Sequence, residues 1–275
     1  MSELSVMQTD RNGILRELFS RQRVLAAYGM LLLVLTPFML AMQQIDLRTF
    51  DGVDVWIKPT KFVFSVAVFA LTIAWFFGYV RSDRRRIGSL RAIVPVIIAA
   101  GSFEIIYIAW QAGHGLASHF NQSSVFFAIM YGLMGFGAVS LIAATLPLAW
   151  EIARRPAPGL RPDFVGAVVI GLVLSCILGG GFGIYMSQQT GHAVGWVQGH
   201  SPIFGWNRAG GDLRIPHFLG IHAQQAIPIL GVLIGSLSPR LRWPTLIAGS
   251  LLYASLTIAL FIQAYEGRPL LPGWF

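Results

Sequence analysis

The chain has 275 residues, of which 55% are hydrophobic and 12% charged, and it carries a net charge of +8. A soluble domain carries about twice that charged fraction, and no polar stretch is long enough for a separate soluble domain. One cysteine, Cys176, excludes an intrachain disulfide framework and reads as a small buried hydrophobe.

Residues 1–23 form a polar, cytoplasmic N-terminal segment with Arg11, Arg16, Arg21 and Arg23. The apolar run that follows exceeds the about 7–15 residues of a signal-peptide core, so it reads as an uncleaved anchor and first span. A helix crosses the hydrocarbon layer with about 20 apolar residues. Seven segments meet that length: 24–43, 61–80, 92–112, 124–149, 164–186, 217–237 and 244–263. The expected fold is an all-α membrane bundle of seven transmembrane helices over 24–263, with an outward tail over 264–275. Asn121-Gln122-Ser123-Ser124 and Arg161-Pro162-Asp163 offer N-caps before the fourth and fifth spans, and Pro216 suits the first turn of the sixth. Gly179 with Gly183, and Gly231 with Gly235, have the four-residue spacing that lets membrane helices approach closely.

Arginine and lysine set the orientation. Fourteen of the 20 fall in the N-terminal segment and the 81–91, 150–163 and 238–243 loops. The N-terminus is therefore expected in the cytoplasm and the C-terminus outside, with the chain in a bacterial inner membrane. The positive charge is accounted for by topology, so a nucleic-acid partner is not expected. The partners expected are membrane lipid and a small-molecule substrate at the outer leaflet, with oligomeric state left open.

The six histidines, His114, His119, His192, His200, His217 and His222, all fall in outward loops or at outward span ends. Histidine is the commonest metal ligand and titrates near neutrality, so one face is a candidate metal, haem or proton site. Glu104 lies inside the third span, where a carboxylate is costly and reads as a catalytic acid/base or proton relay. Gln111 is seven residues on and shares its face. Asp212-Leu213-Arg214 leads into the sixth span, whose first turns carry His217, His222, Gln224 and Gln225. His217 and His222 are five apart, about 140° round a helix, and do not easily ligate one ion. His119 and His217 are the expected metal ligands, completed by His222 or His114. Gln111, Arg214, Gln224 and Gln225 are the expected binding residues.

The 187–216 loop reads as an interfacial loop with a tryptophan belt, or as a lid. Lys58 and Lys61 read as snorkelling to the headgroups, with Asp46, Asp51 and Asp54 near enough to offset them and an anion-binding role as the minor alternative. Met39, Met42, Met130, Met134 and Met186 fall toward the outward half and offer thioethers to copper or haem, or serve as core filler. No lysine in the seventh span, no Cys-x-x-Cys-His, no His-Glu-x-x-His, no P-loop and no Gly-x-Ser-x-Gly elbow is present.

Ser118-His119-Phe120-Asn121, and Asp212-Leu213-Arg214 with His217-Phe218 and His222, resemble a group of bacterial multi-pass membrane proteins from which no activity carries over. Seven spans with a Ser/His pair, a Glu and a later His pair are also similar to the seven-helix metal hydrolases of the ceramidase and progestin-receptor type. That family places His-x-x-x-His on its last span, whereas here the spacing is His217-x-x-x-x-His222 on the sixth. The function expected is a metal- or haem-binding site at the outer leaflet performing redox chemistry or metal-assisted hydrolysis. The alternatives are a proton-coupled transporter and a non-catalytic scaffold or sensor subunit.

Overall fold

A computed structural model describes residues 13–50, 52–201 and 204–271. Seven helical segments are long and apolar enough to cross a membrane: Arg23–Ile45, Ile57–Tyr79, Gly88–Gly113, Val125–Arg154, Pro162–Ser187, Arg214–Ser236 and Pro239–Tyr265. The N-terminal segment also folds in part. Helix α1 (Gly13–Arg21) buries Leu18 and holds the end of the second span, where Arg21 donates to the carbonyl of Trp75 at 2.8 Å and lies over its ring at 4.0 Å. Arg11 lies outside the described residues.

The first span is α2 (Arg23–Ile45). The second is α3 (Ile57–Phe76), which begins four residues earlier than the hydropathy suggests and so takes Lys58 into the helix along with Lys61. The third is α4 (Gly88–Gly113). The fourth is α5 (Val125–Ala143) followed, after a break at Ala144 and Thr145, by α6 (Leu146–Arg154). Ser124 caps α5 as its sequence suggests, its hydroxyl accepting from the Phe127 amide at 3.3 Å. The fifth comprises α7 (Pro162–Leu174), a π-helical turn over Ser175–Gly180 and α8 (Gly181–Ser187). Here no side-chain cap forms: Pro162 takes the first turn, and Asp163 pairs with Arg161 at 3.2 Å. The sixth and seventh are α9 (Arg214–Leu233) and α10 (Pro239–Tyr265).

Consecutive spans run in opposite directions, so their connections gather on two faces. One is basic, with Arg84 bonded to Glu151 and Val80 bridged to Pro156. The other holds the histidines and two small hairpins, β1 (Thr49–Phe50) with β2 (Val53–Asp54) and β3 (Ala193–Val194) with β4 (Gly211–Asp212).

Near the basic face the bundle closes on aliphatic side chains. Leu25, Ile73, Leu90, Ile97, Leu148, Ile152 and Leu172 are fully buried in one cluster. Large apolar side chains on the outer surface, such as Val34, Phe136 and Leu252, present the hydrocarbon-facing exterior a bilayer requires.

Glycines set the approach of the fifth and sixth spans. A Cβ on Gly220 would stand 2.5 Å from the Gly179 nitrogen, and one on Gly179 would stand 2.6 Å from Ile221. The Ser175 hydroxyl donates to the Ile221 carbonyl at 2.8 Å across the same contact. Gly183 meets the His217 ring and Gly231 meets Ala167, so these small residues serve packing.

Candidate functional site

The histidine-face half of the bundle departs from the aliphatic pattern. Glu104, on the inner side of α4, is 2% exposed, and its Oε1 has no hydrogen-bond partner among the described residues. Opposite it on α5 is Gly137, where a Cβ would stand 3.5 Å from that oxygen. Lys58, at the start of α3, is part-buried, makes no hydrogen bond among the described residues and lies in Coulombic reach of Glu104. The same ammonium senses Lys61 and Arg214, and its charge reaches His119 and His192. Four elements thus converge around Lys58: α3, α4, the 114–124 turn and the start of α9.

The turn after α4 delivers His119. Gln111 ties it down, its amide donating to Tyr107 Oη at 3.0 Å and to the Ala117 carbonyl at 2.9 Å. The His119 ring rests between Phe62 and Tyr131, at 5.8 and 6.1 Å, with Nδ1 3.2 Å from the Ser118 hydroxyl. Burial, helped by the Lys58 charge and by His217, holds this imidazole well below its ordinary 6.5, in the neutral form.

Helix α9 contributes two histidines on different faces, as their spacing requires. His217 faces the fifth span, its Nδ1 2.8 Å from the Gly179 carbonyl. His222 faces α3 through Gln225, with Nδ1 3.3 Å from Gln225 Oε1, and Gln225 Nε2 donates to Thr72 at 3.2 Å. A carbonyl oxygen only accepts, so both rings carry their proton on Nδ1 and leave an Nε2 lone pair. The Nε2 of His222 is buried and has no partner among the described residues.

The roof is the 187–216 loop. Asp212 takes Arg214 through Nε at 2.9 Å and through Nη2 at 2.6 Å, and Arg214 also donates to the Gly205 carbonyl at 2.6 Å. Lys61 donates to the Phe204 carbonyl at 2.7 Å. Phe204 stacks on Trp206 at 4.4 Å, and both pack on Phe218. Asn207 stitches the loop to Trp196, at 2.8 Å, and to Asp212. Trp196 is exposed like a belt residue, whereas Trp206 turns inward. Burial, reinforced by the Arg214 charge, pushes His192 down to about 4. Burial raises the Asp212 carboxyl, but the hydrogen bond and charge of Arg214 win and hold it below its usual range.

Several sequence candidates stand apart from this chamber. His114 is exposed, with Nδ1 2.8 Å from the Trp110 carbonyl and its ring against Trp110 at 4.7 Å. Gln111 acts on the turn, although its Oε1 is buried without a partner. Gln224 is buried against Gly171 of α7 and donates to the Ile221 carbonyl. Asp46 binds Arg48 and the Trp56 indole and Asp54 binds the Trp56 amide, so neither offsets Lys58; Asp51 lies outside the described residues. Met39 and Met42 pack around Trp56, and Met134 packs on Tyr107 and Ile108. Among the described residues, no three His, Cys, Asp or Glu side chains gather as a group that could hold a metal ion.

Lys58 is the member that sequence reasoning undervalued. A lysine at a span end snorkels by default. Only its helical position, inside the first turn of α3 and toward the bundle, separates it from that default. Comparison with family models, with curated proteins and with solved structures returns no match to this chain.

Proposed function

We propose that this chain sits in the bacterial inner membrane with its N-terminus in the cytoplasm, and that the chamber binds a small anion and exchanges a proton with it. The observation that carries the reading is Lys58, part-buried and without a hydrogen bond among the described residues, in Coulombic reach of the buried Glu104 carboxyl, whose Oε1 has no partner among them either. Arg214 is neutralised by Asp212, so Lys58 and Lys61 outnumber Glu104. A buried excess of positive charge is relieved by an incoming anion. Glu104 is then the proton-exchanging group, and neutral His119 is the donor or acceptor beside the ligand. The aliphatic cluster of the basic-face half supports one-sided access over a path through the bundle. Orientation follows from the basic loops, which lie on the face away from the chamber.

The lone pairs left on His217 and His222 favour a second reading, in which the chamber holds a metal or haem iron through Nε2. One experiment separates the two. The detergent-purified chain is heated with acetate, succinate, citrate, phosphate or sulfate, and separately with zinc or iron. On the first reading at least one anion raises the unfolding temperature. Lys58→Met abolishes that shift, whereas Glu104→Gln keeps it but loses the accompanying proton uptake or release. If no anion acts, or Lys58→Met responds as the wild type does, the anion reading fails. Stabilisation by metal alone favours the second.

A further inference from the structure

On the basic face, a crevice of two adjoining lobes, of about 380 and 410 Å³, opens between the α1–α2 junction and the start of α4. Gln22, Phe77, Arg85 and Arg86 line both lobes. Arg23 lines one mouth and Arg91 the other. Arg85 is spent on the floor, donating to the carbonyls of Val80 and Gly78 at 3.0 Å each. Arg23, Arg86 and Arg91 are exposed and make no hydrogen bond or ion pair among the described residues.

The acidic side chains described on this face cannot serve them. Glu17 holds Arg21, Asp83 holds Arg81, Glu151 holds Arg84 and Arg155, and Asp163 holds Arg161. With Arg85 bonded to backbone carbonyls and the described acids paired elsewhere, the crevice carries an excess of positive charge. Topology alone asks only that arginines lie in the loops. It does not ask that three of them line two adjoining lobes that share Arg86.

The opposite wall identifies the ligand. Leu90, Val94 and Pro95 continue from the arginines along the membrane-spanning part of α4. A ligand with an anionic head and an apolar tail meets both walls, whereas a free anion meets only one. We propose that this crevice binds the phosphate of an anionic phospholipid between Arg23, Arg86 and Arg91, with an acyl chain along Val94 and Pro95.

The test uses the full chain, delipidated in detergent, titrated with dioctanoyl phosphatidylglycerol, dioctanoyl phosphatidylcholine or inorganic phosphate. Binding is read by native mass spectrometry and by thermal shift. Each surface arginine contributes about fivefold to binding an anionic lipid, so Arg23→Gln/Arg86→Gln/Arg91→Gln is expected to weaken phosphatidylglycerol binding by well over tenfold. A control, Arg154→Gln/Arg240→Gln, removes as much charge as two of these from the same face outside the crevice and is expected to leave binding intact. Should the triple variant not fold, Arg86→Gln alone, in an exposed turn, carries the test with a loss of about fivefold. Equal binding of phosphatidylcholine, equal losses in the control, or unchanged binding in the crevice variant overturns the proposal. Inorganic phosphate matching the lipid would make this a free-anion site and overturn it as well.

Discussion

The two halves of this bundle are built from the same helices and do opposite things. Toward the basic face, α3, α4 and α7 meet through Ile73, Ile97 and Leu172, all fully buried and all aliphatic. Toward the histidine face, α3 and α4 carry Lys58 and Glu104 instead, and α9 carries His217 and His222. There the buried Oε1 atoms of Glu104 and Gln111, and a nitrogen of His222, have no partner among the described residues. Unsatisfied polar groups cost free energy wherever water is excluded. The difference teaches that one half is closed by aliphatic packing, whereas the other keeps buried polar groups at the expense of stability, as the proposed chamber requires, with Asn207, Asp212 and Arg214 bracing the loop above it.

The largest effect that tests this division is expected in the aliphatic half. Ile97→Ala leaves a cavity among Ile73, Leu90 and Ile93 that the packed helices cannot collapse to fill. The apolar transfer term is small where lipid replaces water, but the lost packing remains, so the expected cost is about 2–3 kcal/mol. Anion binding at the chamber is expected to stay within twofold of wild type. An Ile97→Ala protein of wild-type stability, read by denaturation in mixed micelles, would break the comparison.

A smaller effect, from the histidine face, is a pH dependence. Folded His192 sits at about 4, and His119 well below 6.5, whereas an unfolded histidine titrates near 6.5. Below that value the unfolded chain takes up protons that the folded chain refuses, so unfolding is favoured. The histidine contribution to stability is expected to be constant above about pH 7 and to fall as pH drops from about 6.5 to about 4. His192 accounts for about 1–3 kcal/mol of the fall, given its part exposure. Asp212 does not mimic this, because its folded value is lowered and its contribution disappears only as pH drops below the ordinary carboxylate range. His192→Gln is expected to flatten the slope; an unchanged slope would place the titration elsewhere.

Seven spans were legible because each apolar run is long enough to cross and each interruption is polar. Their ends were less so. The second span starts at Ile57 because the residues ahead of it fold into a hairpin and place Lys58 and Lys61 in the first helical turns. Hydropathy stops at a lysine whether it snorkels or turns inward. Glu104 was legible from its depth alone. Sequence set His119 ahead of His114 although both lie in one glycine-containing turn, and the fold adds the surroundings, with Trp110 against His114 and Phe62 and Tyr131 around His119. Gln111 and Gln224 read as chamber residues because they are polar at depth. The structure uses the amide of each on a backbone carbonyl, a role that no residue type announces.

The smallest expected effect is also the one with an unusual sign. Lys58 is a cation held partly out of water without a hydrogen bond, with Lys61 and Arg214 in Coulombic reach and Glu104 as the opposing charge. Lys58→Met keeps a flexible chain of similar length and removes the charge that must be desolvated. If the chamber is held open for a ligand, this variant is expected to unfold at a higher temperature than wild type in the absence of anion, by on the order of 1 kcal/mol. The same variant is expected to lose the anion-dependent shift. A gain in stability joined to a loss of binding cannot come from misfolding, so the pair of readouts separates a binding residue from a structural one. Were Lys58→Met instead destabilised, the Lys58–Glu104 pair would be a structural ion pair, and the chamber would owe its polarity to packing.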